Sequence, residues 1–80
     1  MKAKEAVKLR MMELLREYNL TVNALADRAG IPPSTIYSML NQKSKNPGVV
    51  SLQKICDGLE ISLKTFFNSP LFDNIEQEIE

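Results

Sequence analysis

The sequence contains no histidine and a single cysteine, Cys56, in 80 residues. Those absences exclude, within one chain, a Cys/His zinc site, a Cys-His or Ser-His catalytic pair and an internal disulfide. Its carboxylates fall at no spacing that marks a metal site or an acid–base pair, so the expectation is a non-enzyme that needs no cofactor. No run of about 18 apolar residues is present to cross a bilayer, and the first residues are amphipathic and of mixed charge, unlike a signal peptide. A lone thiol without a disulfide framework fits a reducing cytoplasm, the expected location. An excess of either charge is also missing: ten Lys and Arg balance ten Asp and Glu, for a net charge of zero and a pI near 6.3. At face value this argues against a strongly basic nucleic-acid binder.

What remains is 44% hydrophobic and 25% charged, the make-up of one small globular domain. A domain this small buries only about 60% of the surface its unfolded chain exposes, so nearly every large apolar residue has to serve a core or an interface. From Lys4 to Tyr18, the residues Val7, Met11, Leu14 and Tyr18, with Leu15 beside them, recur at spacings of three and four. That periodicity predicts a first helix, with Lys8, Arg10, Glu13, Arg16 and Glu17 on its solvated side and Asn19 as its terminator. Thr21 is placed to cap a second helix, Val22 to Ala29, and Gly30 suits the left-handed position that closes it. Pro32 stops any continuation, whereas Pro33 is well suited to open a third helix running to about Asn41, with Ile36, Met39 and Leu40 on its apolar face.

A polar loop from Gln42 to Val50 then leads to Ser51, the expected N-cap of a fourth helix. That helix spaces Leu52, Ile55, Cys56 and Leu59 along one face, so Cys56 reads as a small buried apolar residue. Ser62 is expected to cap a short fifth helix through Phe67, with Leu63, Phe66 and Phe67 closing the core. Ser69 and Pro70 repeat the cap-then-proline signal, and Leu71, Phe72, Ile75 and Ile79 are spaced for a short terminal helix. No strand-like alternation occurs, and the fold class expected is all-α.

Two short helices joined by a tight turn follow the helix-turn-helix plan, in which the second helix enters the major groove. Ala26 and Ala29 are small where the pair must approach closely, and Leu25, Ile31, Ile36 and Met39 supply the apolar contacts between them. The run TVNALADRAGIPPSTIYSMLN, Thr21 to Asn41, resembles the helix-turn-helix of the phage lambda and 434 repressor and Cro family, also called the XRE family. The likeness extends from the long first helix through Asn46-Pro47 to SLQKICDGLEISLKTFF, about residues 4 to 67, and leaves out residues 68 to 80. It implies a five-helix lambda repressor-like domain over residues 1–67, followed by an acidic tail, 68–80.

The resemblance also implies that the third helix reads base edges through Pro33, Ser34 and Ser38, with Tyr37 beside them. Ser34 and Ser38 each donate or accept, and Tyr37 offers a ring to a thymine methyl and a hydroxyl to a phosphate or base. Phosphate contacts are expected from Val22 and Asn23 at the second helix's start, from Asn41 and Gln42, and from Lys43, Ser44, Lys45 and Asn46 in the loop. Thr35 is either a structural hydroxyl or a further DNA contact. Arg28 stays open between solvation, an ion pair and a DNA contact. Departures from the family pattern matter too: many relatives carry Gln where this chain has Val22 and Pro33, and Gly where it has Gln42. With no Arg or Lys in the third helix, readout should rest on shape, methyl contacts and short hydroxyl bonds.

The function expected is a sequence-specific DNA-binding transcriptional regulator, a repressor that binds a pseudo-palindromic operator as a homodimer through the major groove. Its half-sites would lie about 34 Å apart. The alternative is a protein-interaction module on the same scaffold, an antitoxin-like or anti-repressor partner with little or no DNA reading. Neither a membrane nor a small-molecule ligand is indicated as a partner. For the tail, three arrangements stand: packing on the domain, forming a dimer interface, or fraying. The charge balance is uneven along the chain. All ten bases lie at or before Lys64 with six acids, a body of plus four, and Asp73, Glu76, Glu78 and Glu80 restore the total to zero. Neutrality therefore limits non-specific affinity without excluding a specific DNA partner.

Overall fold

A computed structural model describes residues 1–41 and 48–77, and among these the chain forms five α-helices and one 3₁₀ turn, with no strand. Helix α1 spans Ala3–Glu17 and buries Ala6, Val7, Met11 and Leu14. Helix α2, Val22–Ala29, starts where Thr21 Oγ1 accepts the Ala24 amide at 3.0 Å, satisfying one of the amides a helix start leaves open. Helix α3, Pro33–Leu40, follows an extended Pro32 and has proline at its first position, where the missing N–H costs nothing. Helix α4 is Val49–Leu59, and α5, Leu63–Phe67, is capped by Ser62 Oγ accepting from the Thr65 amide at 3.0 Å.

Three of these helices end in the same way. At Asn19, Gly30 and Glu60 the backbone turns left-handed, with φ of 54°, 70° and 59°. The next residue's amide then reaches back five positions: Leu20 to Leu15, Ile31 to Ala26 and Ile61 to Cys56, at 2.9, 3.1 and 3.0 Å. This closure satisfies carbonyls that a helix end leaves open and reverses the chain within two residues.

The core is apolar throughout, with Phe66, Met11, Leu25, Ile36, Ile55 and Cys56 fully buried and, among the described residues, no buried polar side chain. Helix α2 packs mainly on α4 and also on α3, while α1 lies against α3 and the 3₁₀ turn. Helices α2 and α4 approach closely at Gly58, where a Cβ would come within 3.0 Å of the Ala29 nitrogen and 3.2 Å of its Cα. Glycine lets the α4 backbone rest directly on the end of α2. Arg10 joins the two ends of the domain. Its half-buried guanidinium donates to the Phe66 carbonyl at 2.6 Å and the Thr65 carbonyl at 3.0 Å, and pairs with Glu13 at 3.2 Å.

Several expectations need correction. Tyr18 is 38% exposed, because it caps α1 rather than continuing its buried stripe. Arg10 is not a solvated residue: it donates to the Phe66 carbonyl, one of those the end of the short α5 leaves open, and adds a second donor to the Thr65 carbonyl, which also accepts the Asn68 amide. Ser51 is not the N-cap of α4, which begins two residues earlier after Gly48 and without a side-chain cap. Phe67 is 41% exposed, its ring edge-on to Phe66 and Phe72 at 5.0 and 4.9 Å.

The terminal helix is reduced to one 3₁₀ turn, Pro70–Phe72, in which Ser69 Oγ accepts from the Leu71 amide at 3.2 Å. Residues 70–77 pack on the domain, the first of the three tail arrangements. Phe72 is half-buried against the core, Leu71 and Ile75 are half-buried too, and the Glu76 amide bonds the Met1 carbonyl at 2.9 Å. Backbone pairing with Met1 replaces the bonds a further helical turn would have made. Ile79 lies outside the described residues.

Candidate nucleic-acid interface

The α2–turn–α3 unit is built as its sequence requires. Gly30 reverses the chain, Ile31 turns inward onto the core, and Pro32 holds the extended geometry from which α3 starts. Leu25 and Ala26 of α2 and Ile36 and Met39 of α3 are buried together, so the position of α3 is fixed by core packing. The remaining faces of α3 are free to meet a partner.

Helix α3 exposes Pro33, Ser34 and Tyr37, with Thr35, Ser38 and Leu40 half-buried. Pro33 and Tyr37 are four residues apart, as are Ser34 and Ser38, so the helix presents an apolar row and a hydroxyl row side by side. Tyr37 is 47% exposed, the largest such ring on this surface. No residue of α3 carries a fixed charge.

The four expected base-reading residues are thus brought to one surface. The phosphate-contact candidates are less uniform. Asn23 and Asn41 are exposed, and the Asn41 amide closes α3 onto the Tyr37 carbonyl at 2.8 Å. Val22 packs against the core, so what it offers a phosphate is the N-terminal backbone of α2 rather than its side chain. Thr35 is half-buried and its amide is held by the Pro32 carbonyl at 3.0 Å. Arg28 is exposed in the last turn of α2. Gln42, Lys43, Ser44, Lys45 and Asn46 lie outside the described residues.

A family model for the Cro/C1-type HTH DNA-binding domain matches residues 10–69, three-quarters of the chain, and spans every element of the unit just described. The chain belongs to the Cro/C1-type helix-turn-helix family. The solved structure titled "Crystal structure of the prophage Lp1 protein 11" superposes with a TM-score of 0.80 at 37% identity, covering 94% of this chain and 100% of that one. No match was found among curated proteins. As a Cro/C1-type domain the chain is a DNA-binding regulator module, and its partner is double-stranded DNA.

Two features of this family member escaped sequence reasoning. Val49 and Val50, assigned to the loop, open α4 and are 68% and 66% exposed, since a helix starting from Gly48 shows no polar cap to announce it. Away from α2 and α3, a recess of about 410 Å³ is lined by Met1, Glu13, Ser69, Pro70, Leu71 and Asn74. Among the described residues no cluster of acidic or sulfur side chains is arranged to hold a metal, and no helix is long and apolar enough to cross a membrane. Burial, and secondarily the neighbouring Asp57 carboxylate, pushes the Cys56 thiol above its usual range, which keeps it protonated and chemically quiet.

Proposed function

We propose that this Cro/C1-type domain is a sequence-specific transcriptional repressor that acts in the cytoplasm. It binds a pseudo-palindromic operator as a homodimer, with one α3 in the major groove of each half-site. The observation that carries this reading is the exposed surface of α3. Pro33, Ser34, Tyr37 and Ser38 sit together on a helix whose other face is locked into the core, within a family match that covers the whole unit. Phosphates on either side are held by the start of α2 at Val22 and Asn23, by Thr35 and Asn41, and by residues 42–46. The match to the Cro/C1-type HTH DNA-binding domain supports a regulatory role of this kind.

The test is an anisotropy titration of the whole protein on duplexes from its own promoter region and on random DNA, at several salt concentrations. The expected result is a preference for one promoter duplex with two half-sites about one helical turn apart, and a shallow salt slope given the net charge of zero. Equal affinity for random DNA rejects the reading. In that case the charge-free α3 favours a protein-interaction module on the same scaffold, recognisable by a stable complex with another protein.

A further inference from the structure

We infer that α3 selects the 5-methyl group of pyrimidines, so that its base preference is for 5-methylpyrimidine rather than for thymine as such, with Tyr37 and Pro33 as the selecting residues. The inference rests on the proposed reading of α3 as the groove helix and specifies what that helix recognises.

The side chains that usually discriminate bases in the major groove do so by fixed hydrogen-bond polarity. Arg and Lys only donate, carboxylates only accept, and Asn or Gln offers one of each in a set geometry. Helix α3 has none of these on any face. The polar groups on its outward surface are the hydroxyls of exposed Ser34 and Tyr37 and half-buried Ser38, and a hydroxyl rotates to donate or accept as its partner requires. Thymine O4 accepts and cytosine N4 donates, so a hydroxyl row meets either base without penalty. Hydrogen bonding from α3 is therefore a poor means of telling thymine from cytosine.

The apolar row does make that distinction. Pro33 and Tyr37 lie four positions apart on α3, about 6 Å along the helix axis and so close to the rise of two base pairs. Both are exposed, and neither is needed for the core. The 5-methyl is the one apolar feature on the major-groove edges of the standard bases, and covering it removes carbon surface from water. Adding the same methyl to cytosine presents the same carbon to the same row. A site in which cytosine replaces thymine should then regain affinity when that cytosine is 5-methylated.

The experiment begins with selection of bound duplexes from random DNA by the full chain, which fixes the preferred half-site. Each thymine in it is then replaced by deoxyuridine opposite adenine, deleting one methyl and nothing else. In parallel, cytosine and 5-methylcytosine are compared opposite guanine at the same positions. The expected result at one or more positions is a loss of about fourfold for each methyl removed, and a matching gain for each methyl added to cytosine. In Tyr37→Ala or Pro33→Ala both ratios should move toward one while the thermal midpoint stays within a few degrees.

Specific binding with deoxyuridine equivalent to thymine at every position overturns the inference and leaves the repressor reading standing. A methyl effect at thymine with no gain at 5-methylcytosine overturns it as well, because the hydroxyl row would then be telling O4 from N4. Methyl ratios unchanged in both variants remove Tyr37 and Pro33 as the selecting residues. A selection that enriches no sequence overturns the repressor reading and this one together.

Discussion

At the scale of single residues, the left-handed helix ends set up an internal contrast. Gly30 adopts φ 70° at no steric cost, whereas Glu60 holds φ 59° with a Cβ that this region disfavours by about 1–2 kcal/mol. Glu60→Gly should therefore raise stability by about 1 kcal/mol, which for a domain of this size is a rise of roughly 4–8 °C in Tm. Gly30→Ala should lower it by a similar amount, even though nothing lies within 4 Å of the added Cβ. Thermal unfolding of the two variants checks both signs; a lower midpoint for Glu60→Gly would mean that its exposed side chain contributes more than its backbone strain costs. Asn19 and Gly30 announce their turns in the sequence, Gly30 because it has no Cβ to clash and Asn19 because its short amide side chain tolerates that conformation. Glu60 does not, since nothing local marks a glutamate for it, and only the closure of Ile61 onto Cys56 explains why it is held there.

Among the elements, the contact between α2 and α4 is the least forgiving. With the site of a Gly58 Cβ only 3.0 Å from the Ala29 nitrogen, Gly58→Ala must push the two helix backbones away from each other, and no flexible side chain is available to yield. The expected cost is about 1–3 kcal/mol, typical of overpacking and opposite in sign to the helix-propensity gain of alanine over glycine. Denaturant unfolding measures it, and an increase in stability would show that the helices separate freely. Elements whose information is local were legible in the sequence: α2 matches its expected span, α3 ends one residue short, and the apolar periods of α1 and α4 select the core. Illegible features depend on distant partners. Gly58 reads as a weak point in a helix until Ala29 is set against it, and Arg10 reads as surface until the carbonyls of α5 arrive from 55 and 56 residues away. The exposed row of α3 was legible because its complement, Ile36 and Met39, is plainly core.

For the whole molecule, the start of the chain and residues 75–77 are tied, among the described residues, by a backbone bond and an ion pair, the Met1 ammonium lying 2.9 Å from the Glu76 carboxylate. The hydrogen bond from that ammonium, then its charge, and lastly Lys2 hold the Glu76 carboxyl below the ordinary glutamate range. A carboxyl lowered in the folded chain stabilises it only when ionised. The tie is complete above the pH at which an unconstrained glutamate titrates, and it is lost as pH falls through the lowered value. Amide exchange of residues 70–77 should accelerate across that acid window, and Glu76→Gln should exchange quickly at neutral pH already. Equal protection in the variant would assign the docking of this segment to its apolar residues and the Glu76–Met1 backbone bond rather than to the ion pair. The α2–α4 contact has a mechanical meaning as well. At Gly58 backbone rests on backbone, so at that point no side chain lies between the helices to absorb a displacement, and a shift of α4 there passes directly to α2. That point is the Arg28–Ala29 end of α2, immediately before the turn into α3, so the seating of α4 sets where the groove helix begins.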